Sequence, residues 1–222
     1  VSPNGWTIAA GLAALWLLSS RSTAAPAPRS PLAPPANFDA LAAEYRRDYA
    51  RATVRPERVE AVDRLARQLA SHEAQYRQVA DPLGVPWWIL GAIHQLEHSG
   101  RFTTAMDVTD PIDVPPGEPI PDARITDAEW NASATRELRR QSFDRWRDWS
   151  LPGALYMLER FNGFGYRGHD VATPYLWSYT TLYDRGKFVR AGVFDPNTVS
   201  AQAGAAAILK RLVALGFVEA PD

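Results

Sequence analysis

The chain has no cysteine. Disulfides and thiolate metal sites are therefore excluded, as is lipid attachment through an N-terminal cysteine, while every compartment stays open. An excess of charge of one sign is also missing. The 24 Lys and Arg against 25 Asp and Glu leave a formal net charge of -1. Binding to nucleic acid normally requires a concentrated basic patch, so no nucleic-acid partner is expected. The nearest approach is Arg136 to Arg147, where Glu137, Asp144 and Asp148 interleave with the arginines. That pattern reads as a solvated helix face. There is no internal repeat and no strong series of strands.

What is present is enough for one core. With 222 residues, 46% hydrophobic and 22% charged, two full-sized domains would be crowded. The one concentrated apolar run at the N-terminus, Trp6 to Leu18, is short for a bilayer-spanning helix and is followed by Arg21 and the small residues Thr23-Ala24-Ala25. It reads as a signal peptide or membrane anchor over residues 1–23. The expected location is therefore periplasmic or secreted, with anchoring to the inner membrane through residues 6–20 as the variant of that reading. Residues 24–37, AAPAPRSPLAPPAN, form a stiff, extended linker. The folded domain is expected over residues 38–222.

Within it the pattern is helical. Leu41 and Tyr45 mark a helix from Phe38 to Ala50. Pro56 suits the first turn of a second helix, whose Val59, Val62, Leu65 and Leu69 predict one run through His72 and Tyr76 to Val79. Residues 81–86 break it, and Pro86 opens the next helix. From Arg101 to Asp127 there is much Pro, Gly and Asp and little periodicity, which predicts a long irregular loop. Helix starts follow at Thr126 and Ser133, with a helix through Phe143 and Trp146. Another runs from Leu151 to Phe161, and a last one from Gln202 to Leu215. The fold class is mostly α.

Glu97 is the residue that asks for an explanation. It ends the largely apolar stretch Trp87-Trp88-Ile89-Leu90-Gly91-Ala92-Ile93-His94-Gln95-Leu96, just before a small-residue break. A carboxyl at the end of a buried aromatic helix is desolvated, which raises its pKa and suits it to general-acid chemistry. The bland alternative is a helix cap or the partner of an arginine. His94 and His98 share its face, and His-x-x-Glu-His superficially suggests zinc. No further glutamate completes that set, so no metal and no cofactor is expected. His94 reads as a core histidine or one that orients Glu97, and is grouped with the substrate-binding residues. A hydrolytic glycosidase usually needs a second carboxylate. Asp107, Asp110 and Asp113 on the following loop are the candidates, with Asp110 before Pro111 preferred. Glu159 reads as structural. The dense set Tyr166, Tyr175, Trp177, Tyr179 and Tyr183 has the composition that lines a sugar cleft, although core packing explains part of it.

Several ordered segments resemble the lysozyme-like superfamily of bacterial and phage proteins, which includes muramidases and lytic transglycosylases. Residues 85–97 resemble its helix ending in the catalytic glutamate. Phe102 with Asp110-Pro111-Ile112 resembles its Phe…Asn-Gly-Asp-Pro-Leu segment. Residues 158–166, with Asn162-Gly163, resemble its Tyr-Asn-Gly segment. Residues 173–178 and 183–189 resemble its Ser-Pro-Tyr-Leu-Trp-Ser and Tyr…Gly-Lys-Tyr-Val pieces. This chain departs from the pattern at Val108-Thr109, where Asn-Gly is usual, at Ala105 and Asp107, where histidines are common, and at Tyr179, where glycine is usual. The resemblance implies a lysozyme-like domain that cleaves the β-1,4 bond between N-acetylmuramic acid and N-acetylglucosamine in peptidoglycan strands. Glu97 and Asp110 would be catalytic, and His94, Asn162, Tyr166, Tyr175, Trp177 and Tyr183 would bind substrate. Hydrolase and lytic transglycosylase both stay open. The alternative is a degenerate glycan-binding or scaffolding part of an envelope complex.

Overall fold

A computed structural model describes residues 38–107 and 125–222, and these form a mostly α-helical assembly with one small hairpin. The N-terminal apolar segment, the linker and Asp110 with Asp113 lie outside the described residues. No helix among the described residues is long and apolar enough to cross a membrane.

Helix α1 covers Phe38–Arg51 and buries Leu41 and Tyr45, the two residues whose spacing predicted it. The next run is two helices, not one. Helix α2 (Val59–Ser71) ends at His72, whose φ of -107° and ψ of 12° leave the helical region, and α3 (Glu73–Ala80) starts from the His72 carbonyl, which accepts from Gln75 and Tyr76. The apolar period continues across this joint, so the break has no hydrophobic signature. Gly84, at φ 67°, then turns the chain through Val85-Pro86 into α4 (Trp87–His98). Nine of the residues of α4 are buried on all sides of the helix, and α2, α3, α6 and α8 pack around it. An all-round apolar helix of this kind belongs at the centre of a core.

Helix α5 (Asp127–Arg140) begins with a capping box. The Thr126 hydroxyl accepts from the Glu129 amide and the Glu129 carboxylate accepts from the Thr126 amide. Ser133, also read as a helix start, lies inside this helix, which stops at Arg140 short of Phe143 and Trp146. Helix α6 (Leu151–Asn162) is followed by a 3-10 segment, Phe164–His169, and by the four-residue α7 (Pro174–Trp177). Strands β1 (Lys187–Arg190) and β2 (Val193–Asp195) pair antiparallel, with Phe188 opposite Phe194. Two such short strands leave no series to detect in the sequence. The closing helix α8 (Ala205–Ala214) packs on α2 and α7.

One buried ionic knot ties the first helix to the rest. Arg167 donates to both Glu159 oxygens at 2.8 Å and pairs with Glu44 at 3.0 Å, while Tyr45 donates to Glu159 at 2.6 Å. Glu159 is thus structural, with Arg167 and not its neighbour Arg160 as partner.

Candidate active site

The end of α4 is shaped from both sides. Ser99 and Gly100 take left-handed φ values of 55° and 67°, which stops the helix one residue after His98 and turns the chain back. Glycine suits this conformation and serine tolerates it poorly, so the turn is held by tertiary contacts. His94 supplies one. Its Nε2 lies 3.0 Å from the Arg101 carbonyl, which can only accept, so Nε2 carries the proton. Nδ1 then accepts from the Tyr76 hydroxyl at 3.0 Å. Burial among Tyr76, Phe102 and Trp130 lowers the imidazole pKa from 6.5 to about 4, and it is neutral at pH 7.

His94 therefore has no exposed surface and no free nitrogen to offer a ligand. Its place is that of a core histidine, which fixes the chain directly after the Glu97 turn. With both nitrogens in use it is not a metal ligand either. Among the described residues no group of three or more His, Asp or Glu is placed to hold a metal ion.

Glu97 sits on the last turn of α4 with its side chain open to solvent. Desolvation by the surrounding protein is nevertheless the largest influence on its carboxyl, and it raises the pKa above the ordinary carboxylate value. Together these facts describe a carboxyl that meets solvent from one side while protein closes round it on the others. The Tyr175 hydroxyl opposes the shift by favouring the anion, and the charge of Glu137 adds to it. Tyr175 and Glu97 are near enough to shift each other, with burial and then the Glu97 charge driving the phenol far up. The pair still falls short of hydrogen-bond geometry, and the enclosed Tyr175 hydroxyl has no bonding partner.

Helix α7 delivers Tyr175. Thr173 caps it, accepting from the Tyr175 amide at 3.3 Å, and Pro174 occupies its first turn. Asn162 reaches the same cap, with Nδ2 3.5 Å from the Thr173 hydroxyl. Asn162 thus acts on the site through Thr173 and Tyr175. Gly204 lets α8 close on α7: a Cβ there would lie 2.3 Å from the Leu176 carbonyl oxygen.

The other aromatic candidates are elsewhere. Trp177 is only 3% exposed and belongs to the core, as its large apolar area favours. The Tyr166 hydroxyl accepts from the Phe188 amide at 3.2 Å, and its ring packs on Phe188, so it supports the hairpin. Tyr183 donates to the Gly186 carbonyl and accepts from the Ser200 amide. The structure places these three residues in packing and loop support. Tyr179, at the position where the resembled pattern has glycine, keeps the glycine-like conformation with φ 67°. Arg58 covers its ring at 4.5 Å and its hydroxyl donates to the Ala201 carbonyl. It lines a groove of about 450 Å³ with Gln95, Ser99 and Gln202, and Glu97 is not among the lining residues.

The residue that sequence reasoning missed is Glu137. The charge pattern of residues 136–147 predicts a solvated face, yet Glu137 is 2% exposed. Both its oxygens accept from Arg140, at 2.8 and 2.7 Å, and one also accepts from Gln141 at 3.2 Å. Its charge acts on Glu97, Tyr175 and His98 together. Asp107, the one loop candidate among the described residues, pairs with Arg136 at 2.5 Å. The site can therefore hold a proton on Glu97 beside a phenol whose own ionisation answers to the Glu97 charge. No family model, curated protein or solved structure matches this chain.

Proposed function

We propose that the protein is a peptidoglycan-cleaving glycosidase with a lysozyme-like domain, and that Glu97 is its general acid. The observation that carries this reading is a carboxyl open to solvent in the last turn of a largely buried helix, with its pKa raised by the protein around it. Such a group holds a proton at pH values where a free glutamate has lost it, and can pass it to a leaving oxygen. Glu97 protonates the glycosidic oxygen between N-acetylmuramic acid and N-acetylglucosamine. Charge developing at the anomeric carbon is stabilised by a carboxylate, for which Asp110 is the proposed residue, or by the acetamido group of the substrate itself. Action in the cell envelope, with or without anchoring through residues 6–20, belongs to the same proposal.

The test is Glu97→Gln on purified sacculi. The amide keeps the size of the side chain but cannot donate the proton, so glycan release is expected to fall by at least about 100-fold. The melting temperature at neutral pH is expected to hold or rise. A carboxyl whose folded pKa is raised destabilises the fold once it ionises, and glutamine does not ionise. Full activity in the variant would exclude Glu97 as the acid. Mass spectrometry of the wild-type products separates the chemistries, because a reducing muramic acid marks a hydrolase and the anhydro form a lytic transglycosylase. Retention on sacculi without soluble product would replace the enzyme by a glycan-binding module.

A further inference from the structure

The groove of about 450 Å³ beside Tyr179 opens between α2, the end of α4 and the loop that leads into α8. It lies away from the Glu97 carboxyl. Gln95 and Leu96 of α4 line it, with Ser99 at the helix cap, whereas Glu97 does not. Gln95 and Glu97 are two positions apart, which sets them about 160° apart round the helix axis. The groove and the candidate acid therefore use opposite faces of one helix end.

The lining is neutral and mixed in polarity. Gln68, Gln95 and Gln202 bring three amides from three segments, and Leu65, Leu96 and Ala203 bring apolar surface. Among the described lining residues Arg64 is the one charged side chain, and Glu60 pairs with it one turn earlier. The Gln202 amide donates to the Leu96 carbonyl at 3.2 Å and so ties the loop before α8 to the end of α4. Gln95 is different. Its Oε1 is enclosed and has no hydrogen-bond partner. A Cβ on Gly100 would meet this oxygen at 2.9 Å and Gln68 Nε2 at 3.1 Å. An acceptor and a donor thus converge over Gly100 without bonding each other. Gln68 is exposed, so its side chain can turn aside and open the Gln95 oxygen to the groove. An enclosed acceptor left unpaired is costly, and a ligand that donates to it removes the cost.

Tyr179 also stands there at a cost. Its φ of 67° is one that bulky side chains rarely adopt. Arg58 lies over the ring at 4.5 Å, Ala201 accepts from the hydroxyl, and the Tyr179 carbonyl accepts from the Arg55 amide at 2.9 Å. Strain of this kind collects at ligand sites, where a side chain must keep a set place. Here that place is the groove wall.

We propose that this groove is a second, non-catalytic site for an uncharged, hydroxyl-rich sugar ring, packed against Tyr179 and bonded by the Gln95 and Gln202 amides. A charged ligand would find its one candidate cation already paired, and a wholly apolar one would leave the amides unsatisfied. A hydroxyl donates and accepts at one atom, which suits neighbouring amide groups of both kinds. A trans peptide group donates and accepts on opposite sides and suits them less well. The site does not depend on Glu97 being an acid. On a glycan-cleaving enzyme it keeps hold of the strand between cleavages.

The experiment titrates the nitrogen-15 labelled full chain with two uncharged tetramers, one of N-acetylglucosamine and one of glucose, and follows the glutamine side-chain amide signals. The Gln95 and Gln202 signals, each assigned by its loss on substitution, are expected to move and saturate. Which tetramer moves them tells an acetamido-bearing wall glycan from a plain glucan. In Gln95→Leu the affinity is expected to weaken roughly 3- to 10-fold, the worth of one neutral hydrogen bond. The melting temperature of that variant should hold or rise. Tyr179→Gly, which removes the ring and relieves the backbone, should weaken binding as well, while Glu97→Gln should bind as the wild type does. Signals that stay still with both sugars, or an affinity unchanged in both groove variants, would overturn the proposal. Movement with a blocked alanine tetrapeptide alone would overturn it in favour of a peptide site. Sugar bound at these glutamines by a chain that leaves sacculi intact keeps the site and sinks the glycosidase reading. Cleaved sacculi with silent glutamines do the reverse.

Discussion

At the residue scale, visibility in the sequence followed contrast. Glu97 stood out because it ends a run in which every residue from Trp87 to Ala92 is apolar or glycine, and the structure places that run wholly inside. Glu137 had no contrast, since Arg-Glu-Leu-Arg-Arg looks like any solvated helix face. Nothing in the sequence says that α5 turns this one carboxylate inward. Tyr175 was visible only as a member of an aromatic set, most of which is core, because Tyr and Trp serve packing as readily as recognition. The Tyr175 hydroxyl gives a test that separates packing from electrostatics. An enclosed hydroxyl without a partner costs about 1–3 kcal/mol, so Tyr175→Phe is expected to hold or raise the melting temperature. The same change removes the group that favours the Glu97 anion, so the Glu97 titration midpoint is expected to rise. A marked drop in melting temperature would show that the hydroxyl makes a bond, and an unmoved midpoint would show that it does not act on Glu97.

Elements were legible where local chemistry announces them. Pro86 and Thr126 each mark a start that the structure keeps. The joint at His72 was not legible, because the apolar stripe of α2 runs on into α3 and only the backbone changes. The hairpin and α7 were too short to leave a periodic trace. Their placement depends on close approach, which a sequence does not display. Gly204 is the sharpest case. Its amide donates to the Ser178 carbonyl at 2.9 Å, and a Cβ would also lie 2.7 Å from the Trp177 nitrogen. These neighbours are backbone, with no flexible end to give way. Gly204→Ala is therefore expected to destabilise the fold by roughly 1–3 kcal/mol, the usual range for forced overpacking. Since α8 can only move away from α7, Tyr175 should loosen with it, and the Glu97 midpoint should shift in the same variant. Urea unfolding and the carboxyl titration check the two halves; an unchanged unfolding midpoint would mean that α7 and α8 are not in fact so close.

For the molecule as a whole, the groups that answer to acid pull in opposite directions. His94 is held neutral, with its folded pKa near 4 against 6.5 when unfolded. A lowered histidine pKa means that the unfolded chain binds the proton first. The stability it permits is complete above pH 6.5, is lost as pH falls towards 4, and amounts to roughly 3 kcal/mol by linkage. Asp63, paired with Arg211 across α2 and α8, acts with the same sign at lower pH, because its carboxyl pKa is depressed by the guanidinium. Glu97 acts the other way. Its pKa is raised, so the folded state binds that proton first, and acidification relieves a penalty present at neutral pH. Stability measured by urea unfolding from pH 7 to pH 4 should fall in the wild type, with proton uptake on unfolding set chiefly by His94. In Glu97→Gln the starting stability should be equal or higher and the fall steeper, because the opposing contribution is gone. Parallel curves for the two proteins would mean that Glu97 titrates like an ordinary surface carboxylate, and the case for it as a poised acid would go with that result.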